Sequence, residues 1–274
     1  MVRRYPRRDP RESGLRGVAA HPRLAAMMID PLMLLQAYSI GVFPMADDRD
    51  AADVYWVEPK HRAILPLDGF HLSGSLAKTV RRDRFRVTAN RAFPAILSLC
   101  AEAAPDRPST WISREIERAY LILHERHFAH SVEVWDGDEL VGGLYGVALG
   151  RAFFGESMVS RRTDASKVAL AWLVARLRFA GFTLLDCQFM TDHLRSLGAI
   201  EVRQRAYVQL LGVAVEGVTL GAWDGVLSTG SGVAAERAFR PLAEGSPDSL
   251  LPPSLTVSGP LSGHSIAQLL TQTS

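Results

Sequence analysis

The chain has 274 residues, of which 47% are apolar and 22% charged, and a net charge of +2. That is the composition of an ordinary soluble globular protein with a sizeable core, and the totals alone do not announce a nucleic-acid binder. No apolar run reaches the length of a membrane span, no apolar stretch of a secretory signal follows the basic N-terminus, and two cysteines (Cys100 and Cys187) make neither a disulfide framework nor a zinc set; a cytoplasmic setting without membrane contact is expected.

In chain order, residues 1–23 read as a flexible basic arm, with Arg3, Arg4, Arg7, Arg8, Arg11 and Arg16 against only Asp9 and Glu12. It is either a solvated tail or an RNA contact. Asp30-Pro31 opens a helix that Gly41 stops, since Asp is a good N-cap and Pro suits the first turn. Ser73 caps a short helix through Val80, and Asn90 another through Cys100, with strands at Ala63 to Leu65 and Phe85 to Thr88. This half, residues 24–108, is expected to be a small N-terminal α+β domain.

Ser113 opens a further helix, with Ile116, Ala119, Tyr120 and Leu123 on one face. Alternation from Ser131 to Trp135, the turn Asp136-Gly137-Asp138 and a return from Leu140 to Leu149 predict a hairpin. Gly142 and Gly143 predict a bulge or a close backbone approach. A third strand follows over Ala152 to Glu156. Asp164 then caps a long, well-buried helix from Ala165 to Ala180, which Gly181 closes. Phe182 to Asp186 is a buried strand, Thr191 caps a short helix ended by Gly198, and Tyr207 to Leu211 reads as a last strand. The class is therefore α+β, and residues 109–211 have the layout of an acyltransferase domain of the GNAT type. From 212 to 274 the composition turns to Gly, Ser, Thr, Pro and Leu: a partly disordered extension, with a linker over Gly245 to Gly263 and then either one apolar turn from Ser265 to Leu270 or a frayed tail.

Asp186-Cys187-Gln188 carries the most chemistry. A carboxylate at the end of an apolar strand is costly unless something accepts its charge, and the plainer alternative is a loop cap. Cys187 points away from its neighbours and packs. Glu156, in Phe154-Gly155-Glu156-Ser157-Met158, would face Asp186 across adjacent strands and suit a cationic substrate or a proton transfer; it could also pair with Arg161, Arg162 or Lys167. Trp56 and Trp111 lie outside periodic segments, as base-stacking platforms or as core. Lys78, Arg81, Arg82 and Arg84 form a basic cluster that holds phosphates or is a solvated turn. His124, His127 and His130, spaced by three, lack a completing ligand, and no metal is expected.

The runs HSVEVWDGDELVGGLYGVALGRAFFGESM, DASKVAL, LLDCQF and TDHLRSLGA, preceded in order by AYSIGVFPM, YWVEPKHRAILPLDGFHLS and TWISREIERAY, resemble the leucyl/phenylalanyl-tRNA–protein transferases. The resemblance spans about Pro31 to Tyr207. It implies transfer of Leu, Phe or Met from aminoacyl-tRNA to proteins beginning with Arg or Lys, marking them for N-degron proteolysis, with no metal or acyl-enzyme; a monomer without a cofactor is expected. It further implies that Asp186 polarises Gln188, which orients the attacking amine, with Asp186 or water as the proton sink. Glu156 would attract the acceptor's cationic residue, and Trp56 and Trp111 would hold the 3′-adenosine. Phe154, Met158, Leu173, Leu177 and Leu185 would line the donor side-chain pocket, and the basic cluster would track the tRNA backbone. The rival is an acyl-CoA-dependent N-acetyltransferase of the same fold. It is weakened because Ser160 to Ser166, before the long helix, has no glycine to cradle a pyrophosphate.

Overall fold

The computed structural model describes residues 29–103, 109–218, 220, 231–239 and 262–271. The basic arm and nearly all of the expected linker lie outside them. The first helix, α1 (Pro31–Ser39), starts where Asp30 accepts from the Leu32 N–H. Strands β1 (Phe43–Met45) and β2 (Tyr55–Val57) form a separate antiparallel pair with Pro44 opposite Trp56. Then come β3 (His61–Ile64), α2 (Gly74–Arg81) capped by Ser73, β4 (Arg86–Ala89), α3 (Phe93–Ala101) and α4 (Arg114–Glu125) capped by Ser113. The hairpin is β5 (Ala129–Asp136) and β6 (Glu139–Leu149), followed by β7 (Ala152–Ser160), α5 (Ala165–Ala180), β8 (Leu184–Asp186), α6 (Asp192–Ser196), β9 (Ile200–Arg203) and α7 (Gln204–Ala214). Two further helices, α8 (Ser231–Phe239) and α9 (Gly263–Thr271), come from the extension.

Among the described residues, seven strands form one mixed sheet in the order β4-β5-β6-β7-β8-β3-β9, and only β7 and β8 run parallel. The strands expected in the N-terminal half thus enter the same sheet as the hairpin: β4 lies at one edge and β3 is inserted between β8 and β9. The sheet separates two cores. One, towards α5, holds Phe153, Leu173, Leu177 and Leu185; the other, towards α1, α3 and α4, holds Phe43, Tyr120, Tyr145 and Phe154.

Several expectations are corrected. Residues 207–211 are helix, within α7, because Tyr207, Leu211 and Ala214 are the buried positions, at spacings of four and three, while Val208, Leu210 and Val213 are exposed. Asn90 does not cap α3. It takes a positive φ of 57° and fastens β4 to β5 by accepting from the Ser131 N–H and meeting His130 Nδ1, while the Glu133 carboxylate accepts from the Ala92 N–H at the helix start. Asp164 sits at the start of α5 but in a left-handed conformation (φ 70°) unsuited to capping. Its carboxylate pairs with Lys167 instead, and Ser160 Oγ accepts from the Ser166 N–H.

At the hairpin both expected features occur. The register shift leaves Val141 as an extra residue beside Gly142, where a Cβ would come within 2.7 Å of Ala165 Cβ. Residues 265–270 are docked helix and not a frayed tail: Ile266, Ala267 and Leu270 of α9 and Ala235, Ala238 and Phe239 of α8 are buried in the α5-side core, and the Arg178 side chain donates to the Leu269 carbonyl. Ile266→Ala should therefore lower stability by about 2–4 kcal/mol, as a fully buried aliphatic does; a urea midpoint unchanged from the wild type would show that α9 is not docked in solution.

Candidate active site

The site begins where β7 and β8 part. Their parallel pairing runs Ala152 with Leu184, Phe153 with Leu185 and Phe154 with Asp186; β7 then continues to Ser160 while β8 ends. The chain after β8 is held on its other side by β3, through Cys187 N–H to Ala63 O (2.9 Å) and Ala63 N–H to Gln188 O (3.0 Å). Gln188 follows in a left-handed conformation with φ 60°, a strained choice for a residue with a side chain, and its N–H donates to Asp186 Oδ1 at 2.8 Å.

On β7, Gly155 faces Gly146 and Ser157 faces Tyr145, so Glu156 is the extra residue of a β-bulge. The bulge aims Glu156 into the gap. Gln188 Nε2 donates to Glu156 Oε2 at 2.8 Å, and so does the Tyr120 hydroxyl. Tyr38 hydrogen-bonds Tyr120 behind it. The Glu156 Oε1 atom is buried and meets no hydrogen-bond partner among the described residues. Burial pushes the Glu156 carboxyl up to about 7; the neighbouring Tyr38 and Tyr120 hydroxyls and the Gln188 amide pull the other way, and the nearby Asp186 charge adds to the rise. Burial and then the Glu156 charge hold Tyr38 and Tyr120 well above the usual phenol range, so both remain donors.

Asp186 is fully buried, and the partner that its position in the sequence demanded is Arg62. Arg62 Nε reaches Asp186 Oδ1 at 2.9 Å and Nη2 reaches Oδ2 at 2.6 Å, while Nη1 donates to the Gly41 carbonyl at 3.0 Å. The guanidinium lies between the rings of Phe43 and Tyr207, 4.6 Å from each centroid, and the Tyr207 hydroxyl donates to Asp186 Oδ2 at 3.1 Å. Burial works against the Arg62 charge, but the Asp186 carboxylate more than offsets it and raises its pKa. Sequence reasoning missed Arg62, Tyr38, Tyr120 and Tyr207. The signal available was the unmatched buried Asp186, which required a cation somewhere, yet Arg62 lies 124 residues away.

The expected placements divide. Glu156, Asp186 and Gln188 are brought together, but the Gln188 side-chain amide donates to Glu156, and Asp186 meets Gln188 through its backbone N–H. Polarisation of the Gln188 amide by Asp186 is therefore corrected. Phe154 is separated from the rest of its expected pocket. It packs against Tyr38 on the α1 side (4.8 Å between centroids), whereas Leu173, Leu177 and Leu185 lie on the α5 side with Met158 against them. Ordinary alternation puts Phe153, paired with Leu185, on the α5 side and Phe154 opposite, and the bulge at Glu156 then inverts the alternation so that Met158 joins the α5 side. Cys187 packs on that same core, where burial and then the Asp186 charge push its thiol up.

Trp56 is exposed on β2, and half-buried Trp111 accepts from the Ala46 N–H just beyond β1, so both border the same two-stranded element. Lys78, Arg81, Arg82 and Arg84 are exposed at the end of α2 and in the turn to β4, and none forms an ion pair among the described residues. The histidines go different ways: His124 stacks on Phe93 and His130 on Phe239.

An amide hydrogen-bonded to a raised-pKa carboxylate where two parallel strands part, beside an apolar core, makes a candidate active site. Over residues 64–212 the chain matches the leucyl/phenylalanyl-tRNA protein transferase family, and over residues 27–60 that family's N-terminal domain. It is 61% identical over 250 residues to the leucyl/phenylalanyl-tRNA–protein transferase of Rhizorhabdus wittichii, covering 90% of this chain and 99% of that one. It is 61% identical to that of Zymomonas mobilis over 69% of this chain and 70% of the relative, and 58% identical to that of Novosphingobium aromaticivorans over 70% and 73%. The chain belongs to the leucyl/phenylalanyl-tRNA–protein transferase family and is an aminoacyltransferase.

The Glu156 carboxyl has a stability signature. Its folded pKa, about 7, exceeds the ordinary 4.5, so the folded protein holds a proton that the unfolded chain releases; stability falls as pH rises from about 4.5 to 7 and levels off above. Glu156→Gln removes the buried charge but keeps the oxygen that Tyr120 and Gln188 meet. It should melt about 2–6 °C above the wild type at pH 8, with the advantage fading towards pH 5. Equal melting temperatures at pH 8 would contradict the buried charge.

Proposed function

We propose that the protein transfers Leu, Phe or Met from aminoacyl-tRNA to the N-terminus of proteins beginning with Arg or Lys, in the cytoplasm and as a monomer, and that the products enter N-degron proteolysis. Family membership supports the donor and acceptor classes, and the bond between Gln188 and Glu156 carries the reading at the site. The donor is an ester and already activated, so the enzyme's work is orientation, and neither metal nor cofactor is required. With its amide nitrogen committed to Glu156, Gln188 offers its carbonyl oxygen to an N–H of the attacking α-amine. The Glu156 carboxylate attracts the cationic acceptor, and a pKa of about 7 is close enough to that of an α-amine, roughly 7.7–8.0, for it to take the proton released on attack.

The donor side chain lies towards α5, against Met158, Leu173, Leu177 and Leu185, with Phe153 in place of Phe154. Such an apolar wall separates Leu, Phe and Met by only about 1–3 kcal/mol. Trp56 and Trp111 stack the 3′-adenosine, and Lys78, Arg81, Arg82 and Arg84 hold backbone phosphates, so binding weakens steeply with salt. A GNAT-like catalytic domain is consistent with the β7–α5–β8 unit and the parting of its strands. The acetyl-CoA reading is disfavoured because the turn before α5 is acidic at Asp164, and Ser160 Oγ already occupies the Ser166 N–H.

Radiolabelled Leu-tRNA or Phe-tRNA incubated with a peptide beginning with Arg, beside a twin beginning with Ala, tests the reading. Label should pass to the Arg peptide alone and be blocked by prior ribonuclease, and Gln188→Ala should lower turnover about 100-fold. Labelling of both peptides would overturn the acceptor rule, and no labelling of either would overturn the reaction.

A further inference from the structure

The Asp186 carboxylate has no position left for chemistry. An ionised carboxylate offers about four acceptor sites. Oδ1 takes Arg62 Nε and the Gln188 N–H, and Oδ2 takes Arg62 Nη2 and the Tyr207 hydroxyl. The group is wholly buried, and its charge is matched by a guanidinium that is itself closed between two rings. Such a carboxylate neither receives a proton from the amine nor touches the donor ester. What it controls is the backbone of Gln188, whose left-handed turn sends the amide across the gap to Glu156.

We propose that Arg62 is a positioning residue for aminoacyl transfer: by clamping both oxygens of Asp186 it fixes the carboxylate that holds the Gln188 turn, and through that turn it places the amide at the reacting centre. The proposal rests on the reading that puts Gln188 and Glu156 at that centre. Arg62 and Asp186 then act as one unit. A lysine cannot replace the arginine, because an ammonium presents no planar fork to two oxygens and makes a poorer partner for two flanking rings.

The test is a double-variant cycle in the labelling assay, with kcat and both KM values measured on the full chain. Arg62→Lys and Asp186→Asn should each lower kcat by about 100-fold, the scale of a small misplacement of a reacting group, with KM for the peptide and for aminoacyl-tRNA unchanged. The variant carrying both should fall no further than either alone, because either change already releases the Gln188 turn. Losses that multiply, a loss confined to KM, or a wild-type kcat in Arg62→Lys would each overturn the proposal. Should Arg62→Lys fail to unfold cooperatively, Tyr207→Phe keeps the ring over Arg62 and removes one bond to Asp186. It should lower kcat about tenfold, and a wild-type kcat there would count against the proposal equally. Gln188→Ala separates the two layers of argument. Wild-type turnover in that variant sinks the reacting-centre reading itself, whereas a loss in Gln188→Ala beside wild-type turnover in Arg62→Lys sinks only the role of Arg62.

Discussion

The buried ion pair between Arg62 and Asp186 is the contact on which the rest of the site depends. Taking two charges out of water costs several kcal/mol per ion, and the attraction between them repays that only when the geometry is good and the remaining donors and acceptors are satisfied. Here the pair is bidentate, the third guanidinium nitrogen meets the Gly41 carbonyl, and aromatic faces from Phe43 and Tyr207 close over both sides. Five segments converge on one guanidinium: the turn after α1, β1, β3, β8 and α7. Removing either charge alone would leave the other buried and unpaired, and would loosen all five segments at the point where the reaction is proposed to occur.

A second local irregularity divides the labour between the two faces of the sheet. The extra residue at Glu156 turns a carboxylate towards Tyr38 and Tyr120 and simultaneously rotates Met158 towards α5. One face at this end of the sheet is thereby hydroxyl-rich and titratable and the other purely apolar. The proposed reaction, which joins an amine to an acyl group with an apolar side chain, calls for two such environments side by side, and a single bulge supplies both. A regular strand would have put Phe154, Glu156 and Met158 on one face, mixing the charge with the donor wall.

Much of the helical framework was legible from local chemistry, because a cap acts within four residues: Asp30, Ser73, Ser113 and Thr191 all accept the N–H bonds that their positions announce. Misreadings occurred where a distant group took over the local role. Glu133 serves the start of α3 and frees Asn90 to join two strands; Ser160 serves α5 and leaves Asp164 to Lys167. In residues 207–211 the apolar run reads equally as strand or helix until the neighbours of Tyr207 are known. At the site, Asp186, Gln188 and Glu156 were visible as residue types at a strand end and in a Gly-flanked run. Arg62 was hidden by a separation of 124 residues, and the parting of Phe154 from Met158 by a bulge whose marker, Gly155, has many other uses.

The distribution of cost across the site bears on what kind of catalyst this is. Gln188 holds a left-handed backbone, Glu156 is buried with one oxygen unpartnered among the described residues, and the Arg62–Asp186 pair sits in the interior; each is unfavourable unless its neighbours overdetermine it. None of the three creates a strong nucleophile or a covalent attachment point, and Cys187 beside them is held as a thiol and packed on the α5-side core. All three instead fix the direction of a single amide and a single carboxylate. An ester of tRNA needs no further activation and an α-amine needs only to be deprotonated and aimed, so rigidity rather than reactivity is where stability is best spent. The extension fits the same picture, since its described helices fill the core behind α5 and back the β7–α5–β8 unit proposed to receive the donor side chain.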